Sequence, residues 1–412
     1  MVFRERYSQK DEDVKRLILL LSLLVLCIIA GLLWIDYTLG KKQHMKHVRS
    51  LEFDEQLGDC TLYTIGDSFL TNLFHDIQNA EAHIDMLFFI VKKDAISMEL
   101  LHLLKKKATQ GVTVRFMLDR IGGYRVNRAM IKDLKKAGVQ FTYTATPRFP
   151  FFFYQLNRRN HRKITIIDGK VAYVGGFNVA KEYISRDPRL GNWRDYHLRV
   201  VGRVIHPYAA VFNDDWDIAN GEQKHPIVKN TNEGNKEMRI IATDGPPLEQ
   251  VFHEMIEEAE QEICIGTPYF IPSERLFQSL LAALKRGVHV HVIVPMKSDH
   301  PLVKEAGLHY LYRLRAAGGD VYFFDLGFYH AKVFIVDQKY CDIGTANFDR
   351  RSLYLNQEIN TLIYDQAFVE EVRLSFDHDM QDSQPFHEHY TQQFHYGTKI
   401  RMGLAYILRP FL

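Results

Sequence analysis

The chain has 412 residues, 46% of them apolar, enough for two lobes that each bury a core. Its 52 basic and 50 acidic side chains nearly cancel, which argues against a nucleic-acid-binding protein, whose footprint is strongly basic. Cys27, Cys60, Cys264 and Cys341 are scattered and form no disulfide framework, and the lack of any N-x-S/T acceptor speaks against an extracellular eukaryotic protein.

The N-terminal flank, residues 1–16, carries Arg4, Arg6, Lys10, Lys15 and Arg16. Residues 17–35 then run without a charge, with Trp34 near the end, and are long enough to span the hydrocarbon region of a bilayer as a transmembrane helix. No small-x-small site follows them, so the segment reads as an uncleaved anchor rather than a signal peptide. Lys41, Lys42, Lys46 and Arg49 balance the leading cations, and the positive-inside rule does not choose an orientation. Residues 36–60 read as a juxtamembrane segment.

Residues 61–219 and 237–412 repeat one succession of elements. Residues 76–86, 103–114 and 135–139 are echoed by 255–265, 280–291 and 315–319, each a helix, a stop and a β-branched strand in the same order. Helices alternating with strands predict an α/β sandwich in each half. Residues 220–236 between them are polar and turn-rich, and form the linker. Within the first half, Phe149, Phe151, Phe152, Phe153 and Tyr154, flanked by Arg148 and by Arg158 and Arg159, suit a site mouth at the lipid headgroup boundary; a core strand is the alternative.

A short pattern then appears once in each half. His161-Arg162-Lys163-Ile164-Thr165-Ile166-Ile167-Asp168 and His330-Ala331-Lys332-Val333-Phe334-Ile335-Val336-Asp337 are both H-x-K-x-x-x-x-D. Each continues to a small-residue turn ending in asparagine, Gly175-Gly176-Phe177-Asn178 and Gly344-Thr345-Ala346-Asn347, with the same spacing. Two copies in phase are strong evidence where one is weak.

On a strand, positions i and i+2 share a face, so His161 would stand beside Lys163, and His330 beside Lys332. Such pairs suit attack on a phosphodiester. Neutral imidazole can attack phosphorus while an ammonium neutralises charge on the non-bridging oxygens, and a second, protonated histidine can donate to the departing alkoxide. Asn178 and Asn347 supply neutral donors to the same oxygens. Asp168 and Asp337 fall at hairpin turns and read as holding those turns more than meeting substrate. The scheme requires no metal and no cofactor. His378, His387, His389 and His395 fit no common zinc spacing and read as a solvated tail.

At these residues the chain resembles the phospholipase D superfamily, whose active site joins one such motif from each half. The resemblance implies tandem repeats packed about a pseudo-twofold axis, with His161, Lys163, Asp168, His330, Lys332 and Asp337 as the catalytic set and His161 as the attacking group. It also implies an acid beside each histidine. Glu358 sits where the family places one, and Asp195 resembles the corresponding acid after the first motif, though offset differently from its histidine.

The N-terminal span, Trp193-Arg194-Asp195 and Phe348-Asp349-Arg350-Arg351-Ser352 together are most similar to the bacterial cardiolipin synthases, many of which carry two spans where one is found here. That likeness implies transfer of a phosphatidyl group from one phosphatidylglycerol to another through a phosphatidyl-histidine, with release of glycerol. It further implies a bacterial cell-membrane enzyme, its catalytic domain cytoplasmic, its partners the bilayer and an anionic phospholipid. The same residues serve a phospholipase D-type hydrolase, or a nuclease, which the balanced charge and the anchor disfavour. A non-catalytic scaffold is disfavoured by the presence of both histidines and both lysines. Residues 399–412, with Arg401 and Arg409 among apolar side chains, suit the membrane surface or a free tail equally. Oligomeric state leaves no signal in the sequence.

Overall fold

The structure, a computed structural model, describes residues 2–225, 234–386 and 400–405. It comprises two compact units. The first joins helix α1 (Val2–Met45) to residues 147–157, and the second contains the rest of the chain. Within α1, Asp13–Met45 is long and apolar enough to cross a membrane. Leu20 and Trp34 on it are 63% and 65% exposed, and an apolar helix that no protein covers is suited to a bilayer. The span read from the sequence, residues 17–35, lies inside this longer helix.

The elements then run β1 (Ser50–Glu52), β2 (Gln56–Ile65), α2 (Gly66–Gln78), β3 (His83–Phe88), α3 (Ala95–Thr109), β4 (Thr113–Asp119), α4 (Arg128–Lys136), β5 (Gln140–Thr144), α5 (Phe152–Asn157), β6 (Ile164–Ile167), β7 (Val171–Gly175), β8 (Asn192–Gly202) and α6 (Ile205–Asn220). Strands β3, β4 and β5 are parallel because helices cross over between them, and β3 is buried along its whole length. Beyond β3 the sheet turns antiparallel through β6, β7, β8 and β2. The aromatic segment belongs to the first unit. Tyr154 is buried there, its backbone N–H donating to Asp36 at 2.8 Å and its hydroxyl 2.6 Å from His44 Nδ1, while Phe149 remains 85% exposed.

The second half repeats this plan with β9 (Lys236–Asp244), α7 (Pro247–Glu258), β10 (Glu262–Gly266), α8 (Glu274–Arg286), β11 (His289–Pro295), α9 (Val303–Ala316), β12 (Asp320–Phe324), β13 (Gly327–Tyr329), β14 (Val333–Val336), β15 (Tyr340–Gly344), α10 (Arg350–Tyr354), β16 (Gln357–Ile363), α11 (Gln366–Gln381) and β17 (Ser383–Pro385). Strands β10, β11 and β12 are parallel, and β14, β15, β16 and β9 continue antiparallel, position for position as in the first sheet. An antiparallel pairing of β2 with β9 joins the two sheets. Residues 50–52 and 56–60, read from the sequence as juxtamembrane, belong instead to these sheets: β1 pairs with β9, because Leu51 and Phe53 pack against the central core, and 56–60 open β2, so the first repeat begins before residue 61.

That core is shared by both halves. Ile164, Val174 and Leu198 of the first sheet form one buried cluster with Ile335, Ile343 and Ile359 of the second, sealed by Phe212 of α6 and Phe376 of α11. Each such side chain, fully buried, contributes about 1.5–3 kcal/mol. The shared core fixes one sheet against the other and so fixes the site between them. Residues 226–233 of the linker, His387, His389 and His395, and most of the C-terminal tail lie outside the described residues. His378 is on α11.

Candidate active site

The two H-x-K triplets stand just ahead of their strands rather than on them. The backbone at each histidine leaves its own sheet and bonds to the other repeat. His161 N–H donates to the Gln357 carbonyl at 2.9 Å, and Gln357 N–H donates back to Arg159 at 2.9 Å. In the other half, β13 pairs in parallel with β8, and His330 N–H donates to the Arg194 carbonyl at 2.7 Å. Gln357 and Arg194 immediately precede Glu358 and Asp195, so these bonds deliver each histidine to the acid of the opposite repeat.

His161 Nδ1 lies 3.0 Å from Glu358 Oε2, and His330 Nδ1 lies 2.5 Å from Asp195 Oδ2. An ionised carboxylate only accepts, so each Nδ1 carries the hydrogen and each Nε2 is the basic nitrogen. Glu358 and Asp195 are fully buried. Burial pushes both carboxyls up, but the histidines and lysines around them outweigh it and hold both below their usual range.

Glu358 is also held by the Thr345 hydroxyl at 2.6 Å, the Ser352 hydroxyl at 2.8 Å and Asn356 Nδ2 at 3.3 Å. Ser352 is in turn positioned on α10, which Asp349 caps by accepting the Ser352 N–H at 2.8 Å. Asp195 receives the Tyr196 N–H at 2.8 Å and Trp193 Nε1 at 3.4 Å. Its carboxylate presses so closely on Gly176 that a Cβ there would fall 1.8 Å from Oδ1. That approach requires glycine where the second repeat has Thr345.

The two acids occupy equivalent register positions. Gly175 pairs with His197 and Gly344 with Asn360, and each acid lies two residues before that partner. Their different offsets from the motifs come from a longer excursion between β7 and β8, which holds a turn of 3-10 helix, Lys181–Ile184.

The lysines lie one layer deeper, Lys163 with no exposed surface and Lys332 with 3%. Lys163 Nζ donates to the His161 carbonyl at 2.7 Å. Lys332 Nζ donates to the His330 carbonyl and stands 2.7 Å from Nδ1 and 3.3 Å from Nε2 of that ring. Burial lowers both ammonium groups, to about 7 for Lys163 and about 8 for Lys332. Burial likewise lowers both imidazoles, against the pull of their acids; with Lys332 adding to it, His330 falls to about 4. At neutral pH the unliganded cluster therefore holds two neutral imidazoles and two carboxylates, with Lys332 mostly ammonium and Lys163 only partly protonated. A phosphodiester monoanion entering it is balanced by protons taken up on Lys163 and the histidine pair.

Both histidines line a cleft of about 560 Å³, together with Phe89, Trp193, Asn178 and Asn347. Phe89 meets His161 edge-on at 5.0 Å, and the Trp193 ring lies 4.8 Å from His330. Asn178 accepts the Ile90 N–H at 2.9 Å and donates to the Tyr183 hydroxyl, and Asn347 donates to Asp349 at 3.1 Å. One amide hydrogen of each asparagine is thereby occupied and the other is available for a ligand.

Asp168 and Asp337 are not part of this cluster. Each adopts a positive φ at the start of a three-residue hairpin loop and accepts three backbone N–H groups, those of Glu81, Ala82 and His83 for Asp168 and of Glu260, Gln261 and Glu262 for Asp337. They tie the motif hairpins to the starts of β3 and β10, at the end of the strand away from the histidines. Arg158 and Arg159, read from the sequence as cations at the site mouth, are ion-paired with Asp244 and Asp119, and Arg159 also lines the cleft. Arg162, the middle residue of the first triplet, bonds Asp215 at 2.8 Å and the Glu358 carbonyl at 3.0 Å, bracing the strand that carries the acid. Thr345, Ser352, Asn356, Trp193 and Phe89 were not singled out as site residues from the sequence. The hydroxyls flanking the second asparagine were the available signal for Thr345 and Ser352. Among the described residues, no group of three or more His, Cys, Asp or Glu could hold a metal ion.

Two tandem α/β repeats joining their H-x-K residues in one cleft define a phospholipase D-like fold. The same fold is found in phosphatidylserine synthase from Haemophilus influenzae, at 16% identity and a TM-score of 0.69 over 90% of this chain and 100% of that one. A family model described as cardiolipin synthase, PLD-like domain, matches residues 73–216 and 252–380. The minor cardiolipin synthase ClsB of Bacillus subtilis is 39% identical over 368 residues, 89% of this chain and 92% of its own length. A cardiolipin synthase of Oceanobacillus iheyensis is 37% identical over 85% of this chain and 74% of its own. The chain belongs to the cardiolipin synthase family of phospholipase D-like proteins.

Proposed function

We propose that this protein makes cardiolipin from two molecules of phosphatidylglycerol, with two repeats that share one catalytic site. The observation that carries the reading is the crossed pair of His–acid contacts opening on a single cleft, in a chain of this family. The unprotonated His161 Nε2 attacks phosphorus of the first phosphatidylglycerol. The bond to the glycerol oxygen breaks, and that oxygen takes the proton of His330, so glycerol leaves and a phosphatidyl-histidine remains. His330, now neutral, takes the hydroxyl proton of a second phosphatidylglycerol, whose oxygen attacks phosphorus and expels His161. Both histidines return to their starting states.

Glu358 and Asp195 hold the two rings in the required tautomer and stabilise the imidazolium on either side. Lys163 and Lys332 offset the phosphoryl charge from beneath the rings, in a site dry enough for that charge to act strongly. General acid catalysis by His330 contributes about 10²–10⁴-fold. Asp168 and Asp337 act on this scheme only through the hairpins they hold. Helix α1 keeps the enzyme at the bilayer that contains both substrates, and we read the catalytic unit as cytoplasmic.

The test is to incubate the purified full chain in micelles with phosphatidylglycerol labelled in the headgroup, and to separate the products. Cardiolipin and free glycerol in equal amounts, lost in His161→Ala and His330→Ala, support the reading. Phosphatidic acid without cardiolipin makes the protein a hydrolase.

A further inference from the structure

The cleft contains a carboxylate that the steps above do not use. Asp299 lies between β11 and α9, lines the cleft with His330 and Trp193, and has a side chain only 12% exposed. Tyr269 donates its hydroxyl to Oδ2 at 2.6 Å, and His300 Nδ1 lies 2.9 Å from the same oxygen. The other oxygen, Oδ1, is buried and has no hydrogen-bond partner among the described residues. Glu182 Oε2 and Asn347 Oδ1, also on the cleft wall, are in the same condition. A buried acceptor left without a donor is costly, and a ligand hydroxyl that reaches it removes that cost.

Acceptors of this kind call for a ligand that donates, so the phosphate itself does not belong against them. Asp299 interacts electrostatically with His330, the group assigned to the departing and arriving alcohols, which puts it at the alcohol end of the cleft. A carboxylate attracts an ammonium headgroup as well as a hydroxyl. Here, however, its charge is already met by His300, whose imidazolium it favours, and Arg189 and Arg351 add positive charge around that histidine. A neutral diol fits this balance and a further cation does not.

We propose that Asp299, clamped by Tyr269 and His300, accepts the hydroxyl hydrogens of the glycerol headgroup and so selects a diol as both leaving and incoming alcohol. The proposal rests on the phosphatidyl transfer described above. It makes Asp299 a specificity-determining residue, with Glu182 and Asn347 as further acceptors for the same headgroup.

The experiment uses the full chain in micelles with phosphatidyl-p-nitrophenol as donor, whose leaving group needs neither a proton nor a diol. Glycerol, 1-propanol and ethanolamine compete at equal concentration, and the phosphatidyl products are counted. The ratio is read only among molecules that have turned over, so it does not depend on how much of a variant is folded. The wild type is expected to favour glycerol. Asp299→Ala is expected to lower the glycerol-to-propanol ratio at least tenfold, with Asp299→Asn intermediate because its carbonyl still accepts. Should the alanine variant release no nitrophenol, the asparagine variant decides on the same ratio. An unchanged ratio, or a wild-type preference for ethanolamine that Asp299→Ala removes, overturns the proposal while leaving the transferase reading intact. Phosphatidic acid with every alcohol overturns both.

Discussion

Nδ1 of His161 lies 3.0 Å from Oε2 of Glu358, which is 197 residues further along the chain and in the other repeat. His330 and Asp195 repeat the relationship in the opposite sense at 2.5 Å. Neither repeat therefore completes a histidine–acid pair alone. The two halves have to be packed together before either imidazole is oriented, which explains why the shared core and the β2–β9 junction matter to chemistry.

Removing the charge from either acid should leave the ring in place but no longer favour its reactive tautomer or its imidazolium. Glu358→Gln and Asp195→Asn are each expected to lower kcat for cardiolipin formation by about 10²–10⁴-fold. Because each acid acts through its histidine, Glu358→Gln combined with His161→Ala should be no slower than His161→Ala alone. Initial rates with labelled phosphatidylglycerol check both statements. Additive losses in the double variant would mean that Glu358 acts independently of His161.

Asp168 offers the contrasting case. Burial pushes its carboxyl up, but the three N–H groups of Glu81, Ala82 and His83 outweigh that and hold it below the usual range. A depressed carboxyl stabilises the fold fully above its unfolded value and loses that contribution as the pH falls through the folded one. Asp168→Ala is expected to cost roughly 1–2 kcal/mol at neutral pH, because water can replace its bonds to the exposed Glu81 and Ala82 N–H groups but less readily that to His83, and to make acid unfolding less steep. Activity per folded molecule should fall far less than in Glu358→Gln. Melting curves at several pH values, alongside specific activity, separate the two effects.

The charge balance of the cluster predicts a proton movement. Burial keeps both imidazoles below 6.5 and Lys163 near 7, so at neutral pH the unliganded site is short of protons. An anion bound among these groups raises every one of their values. Binding of vanadate or glycerol phosphate at pH 7.5 is therefore expected to take up protons from the buffer. Calorimetry in two buffers of different ionisation enthalpy reads the number directly, and proton release on binding would contradict the account.

Much of this architecture was legible because it is local. The paired H-x-K patterns, the glycine-stopped helices and the uncharged run near the N-terminus each declare themselves within a few residues, and Asp168 and Asp337 were readable as turn residues from their place after a β-branched run. What was not legible depends on pairing across the repeats. Asp195 looked displaced because the excursion after β7 is longer than its counterpart, and only strand register shows that it matches Glu358. The strands starting after the triplets, rather than at the histidines, could not be read either, because the bonds from His161 to Gln357 and from His330 to Arg194 are long-range. The ion pairs of Arg158 and Arg159 were hidden for a related reason. Their carboxylate partners, Asp244 and Asp119, are distant in sequence, although Arg159 does line the cleft, as a cation just before His161 suggests.

The most direct test of one shared site with His161 as its nucleophile is to trap the covalent intermediate. With phosphorus-labelled phosphatidyl-p-nitrophenol, whose leaving group needs no acid, His330→Ala should release a burst of nitrophenol and retain the label on His161 after quenching under conditions that preserve phosphohistidine. His161→Ala should show no burst and no bound label. Label retained on His330 in the His161→Ala variant, with none on His161 in the other, would reverse the assignment of nucleophile and acid; no protein-bound label in either would remove the covalent intermediate altogether.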